Sequence, residues 1–326
     1  MPERFLITGA LGCIGAWAAR TLVREGVPVV AFDLGTSRHR LELVMSPEEL
    51  ARVTFVTGDI THLDAIGRVL DEHEITNVIH LAAMLIPLAK ADPPRGAHVN
   101  VVGTVNVFEA VKVRRERISG VAYASSAAAY DAADGAWVAE DAPGHPVTHY
   151  GVHKQANEGT ARVYWLDDGV ASVGLRPYIV YGPGRDTGLT ADPTLAMEAA
   201  ARGEGYHIGF GGRSQLQLTS DAAQAFIAAS RACSAGALVA NLGGPAVDMA
   251  EVVAAIEAAA PEVAGRITYE DRKLPFPEEF EAKAFPAPQT PFEVGVRETI
   301  EHFRHHGGAP GSPANPLLLG PNRVQL

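Results

Sequence analysis

The stretch Thr8-Gly9-Ala10-Leu11-Gly12-Cys13-Ile14-Gly15 decides the fold. It follows the strand-like run 4–7 directly and opens a helical pattern over 14–25 that stops at Gly26. Glycines between a strand and a helix let the backbone turn tightly, let a pyrophosphate approach the helix N-terminus, and let the helix pack close on a sheet. In that context the stretch predicts a dinucleotide site walled by Gly9, Gly12, Cys13, Ile14 and Gly15.

Working outward, β-branched runs at 27–32, 53–56, 77–81, 121–124 and 171–175 alternate with helical patterns at 63–73, 99–113 and 149–166, the last ending near Gly169. Strands alternating with helices at this spacing predict an α/β protein with a Rossmann-type doubly wound parallel sheet. After Arg176 the texture changes to Pro/Gly punctuation, including Tyr181-Gly182-Pro183-Gly184, Gly243-Gly244-Pro245 and the Pro-rich stretch 274–291. The predicted division is a nucleotide-binding domain over 1–176, joined by roughly 214–242. A smaller C-terminal substrate domain takes 177–213 and 243–326, with a loosely held tail from Gly307.

Composition narrows the function. Hydrophobic residues make up 47% and charged residues 20%, the balance of a globular enzyme. The formal charge of -11 opposes binding to nucleic acid or to anionic membrane surfaces. The cluster Arg114-Arg115-Glu116-Arg117 ends a helical pattern, where cations complement the helix dipole. Cys13 and Cys233 are too few for a disulfide framework and lack metal-ligand spacing, so no metal is expected. No long apolar stretch and no signal-peptide pattern occur, which predicts a cytoplasmic location.

Asp33 ends the second strand, 18 residues beyond Gly15, where a carboxylate can accept hydrogen bonds from an adenosine ribose. It would repel a 2′-phosphate, so NAD is favoured over NADP, although Arg38 or Arg40 could bend back to neutralise that phosphate. Asp59 closes the third strand beside Ile60 and can meet an adenine or cap the following helix. His80 reads equally as a contact or a packed core histidine. The small residues after it, Leu81, Ala82 and Ala83, leave room for a ribose and nicotinamide.

Tyr150 and Lys154 lie four apart on a helical segment, so both project from one face. An ammonium beside a phenol favours the phenolate, which can take a proton from a substrate hydroxyl while hydride leaves the same carbon. Following a glycine fingerprint and a strand ending in Ser125-Ser126, this pair resembles the extended short-chain dehydrogenase/reductase family, in particular its NAD-dependent epimerase/dehydratase branch. The resemblance implies that Ser126, Tyr150 and Lys154 are catalytic. It implies that Asp33, Asp59, Ile60 and His80 to Ala83 contact the adenosine and ribose, that Asn100 belongs to the cofactor site as its brace, and that Tyr178 and Val180 border the nicotinamide. Ser125, Ser126, Met84, Tyr178 and Arg213 fall to the substrate side. A homodimer through 99–113 and 149–166 follows by the same analogy.

Departures from the family pattern are informative. Ala127-Ala128-Ala129 replaces the acidic residues that dehydratases carry after the catalytic Ser or Thr. Ile179 stands where Asn commonly contacts a sugar or diphosphate, and Arg213 is one residue out of register for diphosphate pairing. The expected substrate is a small, sugar-like molecule oxidised or epimerised at a secondary hydroxyl. The alternatives are an NAD(P)H-dependent reductase of a small carbonyl compound and a non-catalytic dinucleotide sensor. His149 and His153 read as surface or interface residues, Trp137 as a candidate substrate wall, and Cys13 as a packing residue.

Overall fold

The computed structural model describes residues 2–306; the tail expected from Gly307 lies outside them. Seven strands form the main sheet: β1 (Phe5–Thr8), β2 (Val29–Asp33), β3 (Val53–Thr57), β4 (Asn77–His80), β5 (Gly120–Ala124), β6 (Ala171–Pro177) and β7 (Ala237–Leu242). Their order is β7-β6-β5-β4-β1-β2-β3, and every neighbouring pair is parallel. The order reverses between β1 and β4, which opens a crevice at the carboxyl ends of those strands, where open α/β sheets bind ligands.

Alternation along each strand feeds two cores. In β1, Phe5 and Ile7 join the face covered by α1 (Cys13–Arg24) and α5 (Thr219–Ala232), with Leu22, Phe226 and Ile227. Leu6 joins the other face, packed by α2 (Leu63–Glu72) and α3 (Gly103–Lys112) through Ile66, Leu70, Val107 and Phe108. Fully buried parallel strands need apolar side chains on both faces, and these have them.

The helix expected over 99–113 is a π-helical turn, His98–Val102, running into α3. Between α3 and α5 runs α4 (His149–Asp168), capped at its start by Thr148, whose hydroxyl accepts the Gly151 N–H at 3.0 Å, and at its end by left-handed Gly169. The basic cluster is structural: Arg114 grips Asp71 and the last-turn carbonyl of Ala110, and Arg117 shares Asp71.

A second lobe is built on a three-stranded sheet of Ile179–Tyr181, Arg213–Leu218 and Ala246–Asp248, with its own core around Tyr181, Met197, Leu216, Ile256 and Phe292. Among the described residues no helix is long and apolar enough to cross a membrane.

Candidate active site

A cavity of about 730 Å³ opens at the carboxyl ends of β1, β2, β4 and β5. One end is the glycine loop. Gly9 has φ +70°, and a Cβ there would lie 2.6 Å from the Ala82 nitrogen, so the loop sits hard against the residues after β4. At Gly12 a Cβ would meet only the Gly9 carbonyl, at 3.1 Å, which leaves that side of the loop open. Gly12 is also the N-cap of α1 and offers no side chain to its first-turn amides. Uncapped amides beside a cradle that a Cβ would fill suit a pyrophosphate, so these residues fit a dinucleotide.

Asp33 faces the same end, with one oxygen accepting the Leu11 N–H and the other the Gly35 N–H, each at 3.0 Å. It thus holds the glycine loop in place as well as presenting charge. Arg38 lies over the Phe55 ring at 3.7 Å, and Arg40 is committed to Asp186 through Nε and Nη2, so neither is turned toward Asp33. Asp59 forms an Asx turn onto the Thr61 N–H at 2.8 Å instead of capping the helix, and with Ile60 it lines the cavity.

Ser126, Tyr150 and Lys154 converge on the opposite wall. Thr148 starts α4 so that Tyr150 and Lys154 share a face, and Lys154 Nζ donates to the Ala124 carbonyl at the end of β5 at 2.7 Å. The ammonium lies 5.3 Å from the Tyr150 ring centroid. Burial pushes the phenol up to about 12, partly offset by the Ser126 hydroxyl and by Arg185. The lowering of the phenol expected from Lys154 is not what acts here: desolvation dominates, and the opposing pull comes from Ser126 and Arg185. Burial likewise pushes Lys154 down to about 8, against the pull of Glu158.

Several expected residues take other positions. Ser125 lies at the cavity, but its hydroxyl donates to Glu158 at 2.5 Å, and Glu158 in turn pairs with Arg176 at 2.7 Å. Asn100 stands outside the cavity, where its amide clamps both backbone polar groups of Met84, which does line it. Arg213 also stands outside, 3.5 Å from Asp248 and within reach of Glu251 and Glu279, because its strand edge faces the second lobe's acids. His80 bonds Thr8 and Thr104 in the core and is pushed down to about 3 by burial, so it is a neutral packing residue.

Leu81, Ala82, Ala83, Met84, Tyr178 and Val180 all line the cavity; the Tyr178 hydroxyl is spent on the Pro277 carbonyl. His149, His153 and Trp137 do not line it. Ile86, Leu189 and Phe276 add an apolar wall that sequence reading missed, as it did Arg185. The signal for Arg185 was present: a cation in a glycine-rich loop just after a strand end.

Residues 5–243 match the model of the NAD dependent epimerase/dehydratase family. The chain is 32% identical over 238 residues to the UDP-glucose 4-epimerase of Mycolicibacterium smegmatis, which covers 72% of this chain and 75% of that protein. Its match to UDP-glucuronate 4-epimerase 2 of Arabidopsis thaliana is 31% identical over 183 residues and covers 55% of this chain but only 42% of the relative, less than half its length. The fold superposes on a Thermus thermophilus UDP-glucose 4-epimerase in complex with NAD with a TM-score of 0.76 at 25% identity, over 93% of this chain and 99% of that one.

Proposed function

Since the chain belongs to the NAD dependent epimerase/dehydratase family, we propose that it uses NAD to oxidise a secondary hydroxyl of a sugar-like molecule, as an epimerase or a dehydrogenase. The observation that carries this reading is the convergence of Ser126, Tyr150 and Lys154 on a cavity whose other end is the glycine loop. Gly12, the first-turn amides of α1 and Asp33 would hold NAD; when bound, it supplies a hydride acceptor that can return the hydride.

Once the resting phenol has lost its proton to solvent, the Tyr150 phenolate oxygen takes the substrate's hydroxyl proton as the C–H bond gives up its electron pair, and a ketone results. Ser126 orients the reacting oxygen. Lys154 is fixed by the Ala124 carbonyl with its charge 5.3 Å from the Tyr150 ring, and it would hold the ribose of a bound NAD. A phenol held high by burial is protonated at rest, which suits it to give the proton back when the ketone is reduced. An epimerase reduces that ketone on its other face, whereas a dehydrogenase releases it. NAD that co-purifies and resists exchange supports the epimerase; free exchange supports the dehydrogenase.

Tyr150→Phe tests the chemistry. It deletes one oxygen and keeps the ring and its packing, so turnover should fall about 10²–10⁴-fold while NAD affinity stays near that of the parent. A variant that oxidises its substrate at the parent rate would refute the mechanism.

The second lobe would supply the substrate side, and two copies would pair through α4 and the 98–113 segment. These helices expose Val102, Val113, Val152, Val163 and Leu166, with Val113 and Leu166 more than 70% exposed. Val163→Glu with Leu166→Glu should convert a dimer to a monomer in light scattering; a wild-type monomer at micromolar concentration would overturn the pairing.

A further inference from the structure

Arg185 sits in the loop after Ile179–Tyr181 and lines the cavity. Its Nη2 donates to the Thr190 hydroxyl at 3.0 Å, while its Nε is buried and bonds nothing. It joins none of the ion pairs among the described residues. The adjacent carboxylate, Asp186, is spent on Arg40 at 2.6 Å and on His39 at 2.9 Å.

The loop is shaped to hold this guanidinium. Gly188 has φ +103°, and a Cβ there would come within 3.2 Å of Arg185 Nη2, so glycine supplies both the turn and the space. Through that placement the positive charge registers on the Tyr150 phenol and on Cys13 of the glycine loop. Lys154 is already engaged by Ala124, and the other arginines lining the cavity are Arg40, paired with Asp186, and solvent-exposed Arg95. Arg185 is half-buried, its buried Nε has no partner and its charge has no anion, and a planar guanidinium with free donors matches a carboxylate.

We propose that Arg185 receives a carboxylate carried by the substrate, which makes the substrate a sugar acid or related polyhydroxy acid rather than a nucleotide-linked sugar. This rests on the redox reading above and specifies its substrate class. The rest of that wall, Met84, Ile86, Leu189 and Phe276, offers no second cation for a diphosphate, and Arg213 faces away among acids. A single guanidinium balances one carboxylate. The rival anion is the dinucleotide's own pyrophosphate, for which the uncapped amides of α1 already provide.

The test uses the purified full chain with NAD and a set of probes: galacturonate, gluconate, galactose, glucose, galactose 1-phosphate and UDP-glucose. Thermal stabilisation and NADH formation are read at matched ionic strength. Wild type should be stabilised by, and should oxidise, at least one sugar acid in preference to its neutral counterpart. Arg185→Gln should lose about 10²-fold more in kcat/KM for that acid than for neutral sugars, whose smaller loss reflects the charge taken from beside Tyr150, with NAD affinity within a few-fold of the parent.

Arg185→Lys should recover part of the loss. Preference of wild type for neutral sugars, for galactose 1-phosphate or for UDP-glucose overturns the proposal, and needs no variant. A loss of NAD affinity in Arg185→Gln with unchanged acid preference overturns it in favour of the pyrophosphate. Failure of the underlying redox reading is separate: there Tyr150→Phe keeps full turnover, or wild type binds no NAD.

Discussion

Replacing Asp33 with Ala removes three things at once: an acceptor for the Leu11 amide, an acceptor for the Gly35 amide, and the charge offered to a ribose diol. The Gly35 amide is exposed and is taken up by water, so its loss costs little. The Leu11 amide is partly buried and loses a charged acceptor, which costs about 1 kcal/mol of loop order. The bond to a ribose hydroxyl adds about 2 kcal/mol. At about 1.4 kcal/mol per tenfold, NAD affinity should fall roughly 100- to 200-fold.

NADP should gain far less, because Arg40 cannot reach a 2′-phosphate without leaving Asp186. The assay is titration calorimetry with both cofactors on wild type, Asp33→Ala, Asp33→Asn and the double variant Asp33→Ala/Asp186→Asn. Asp33→Asn keeps an acceptor for Leu11 and should lose less NAD affinity than Asp33→Ala. The double variant frees Arg40 and should bind NADP about tenfold better than Asp33→Ala alone, the size of one exposed charge-assisted contact. An unchanged NAD-to-NADP ratio in Asp33→Ala would refute the role given to this carboxylate.

Two further outcomes follow from the same geometry. Gly9→Ala combines a left-handed backbone with a Cβ driven into the Ala82 nitrogen, so it should lose roughly 2–5 kcal/mol in thermal or urea unfolding. Gly26→Ala, at φ +80° with nothing within 4 Å, should lose only about 1 kcal/mol, and equal losses would remove the close-approach argument. Burial lowers the folded-state pKa of Lys154 to about 8, below its unfolded value near 10.5. The buried ammonium is therefore a penalty below pH 8, worth about 3 kcal/mol and relieved as pH rises from 8 to 10.5. Relative to Lys154→Met, wild type should gain stability across that window while its NAD affinity falls, and parallel pH curves would contradict both.

The glycine loop, the strand succession and the Tyr150–Lys154 pair were legible because they are local: a strand, a turn and a helix carry their own period and punctuation. What escaped depends on where side chains point after the chain turns. Ser125 and Ser126 are neighbours in sequence, yet in extended backbone they face opposite ways. One reaches Glu158 behind the sheet end and the other faces Tyr150. Asn100 was expected at the cofactor site, but the π-helical turn places its amide on the Met84 backbone. Arg213 and Arg185 are both arginines near the same lobe, and only the pairing of strand 213–218 shows that one faces acids and the other the cavity. Phe276 reaches the cavity from a Pro-rich stretch with no periodicity to read.

The order of chain synthesis gives the main sheet an unusual dependency. β7 pairs with β6, and α5 covers α1, only after the chain has passed through the first half of the second lobe. Arg231 then ties α5 to Glu3 and Glu25, and Asn77 reaches the Ser230 carbonyl. A nascent fragment ending at residue 176 would carry β6 as a bare edge and α1 with an uncovered apolar face, the two features that drive association of incomplete chains. The half that carries the main sheet is thus not a cassette that can be cut at the end of β6 and grafted onto another partner; a chimera that keeps its sheet closed has to carry the segment through Leu242 with it.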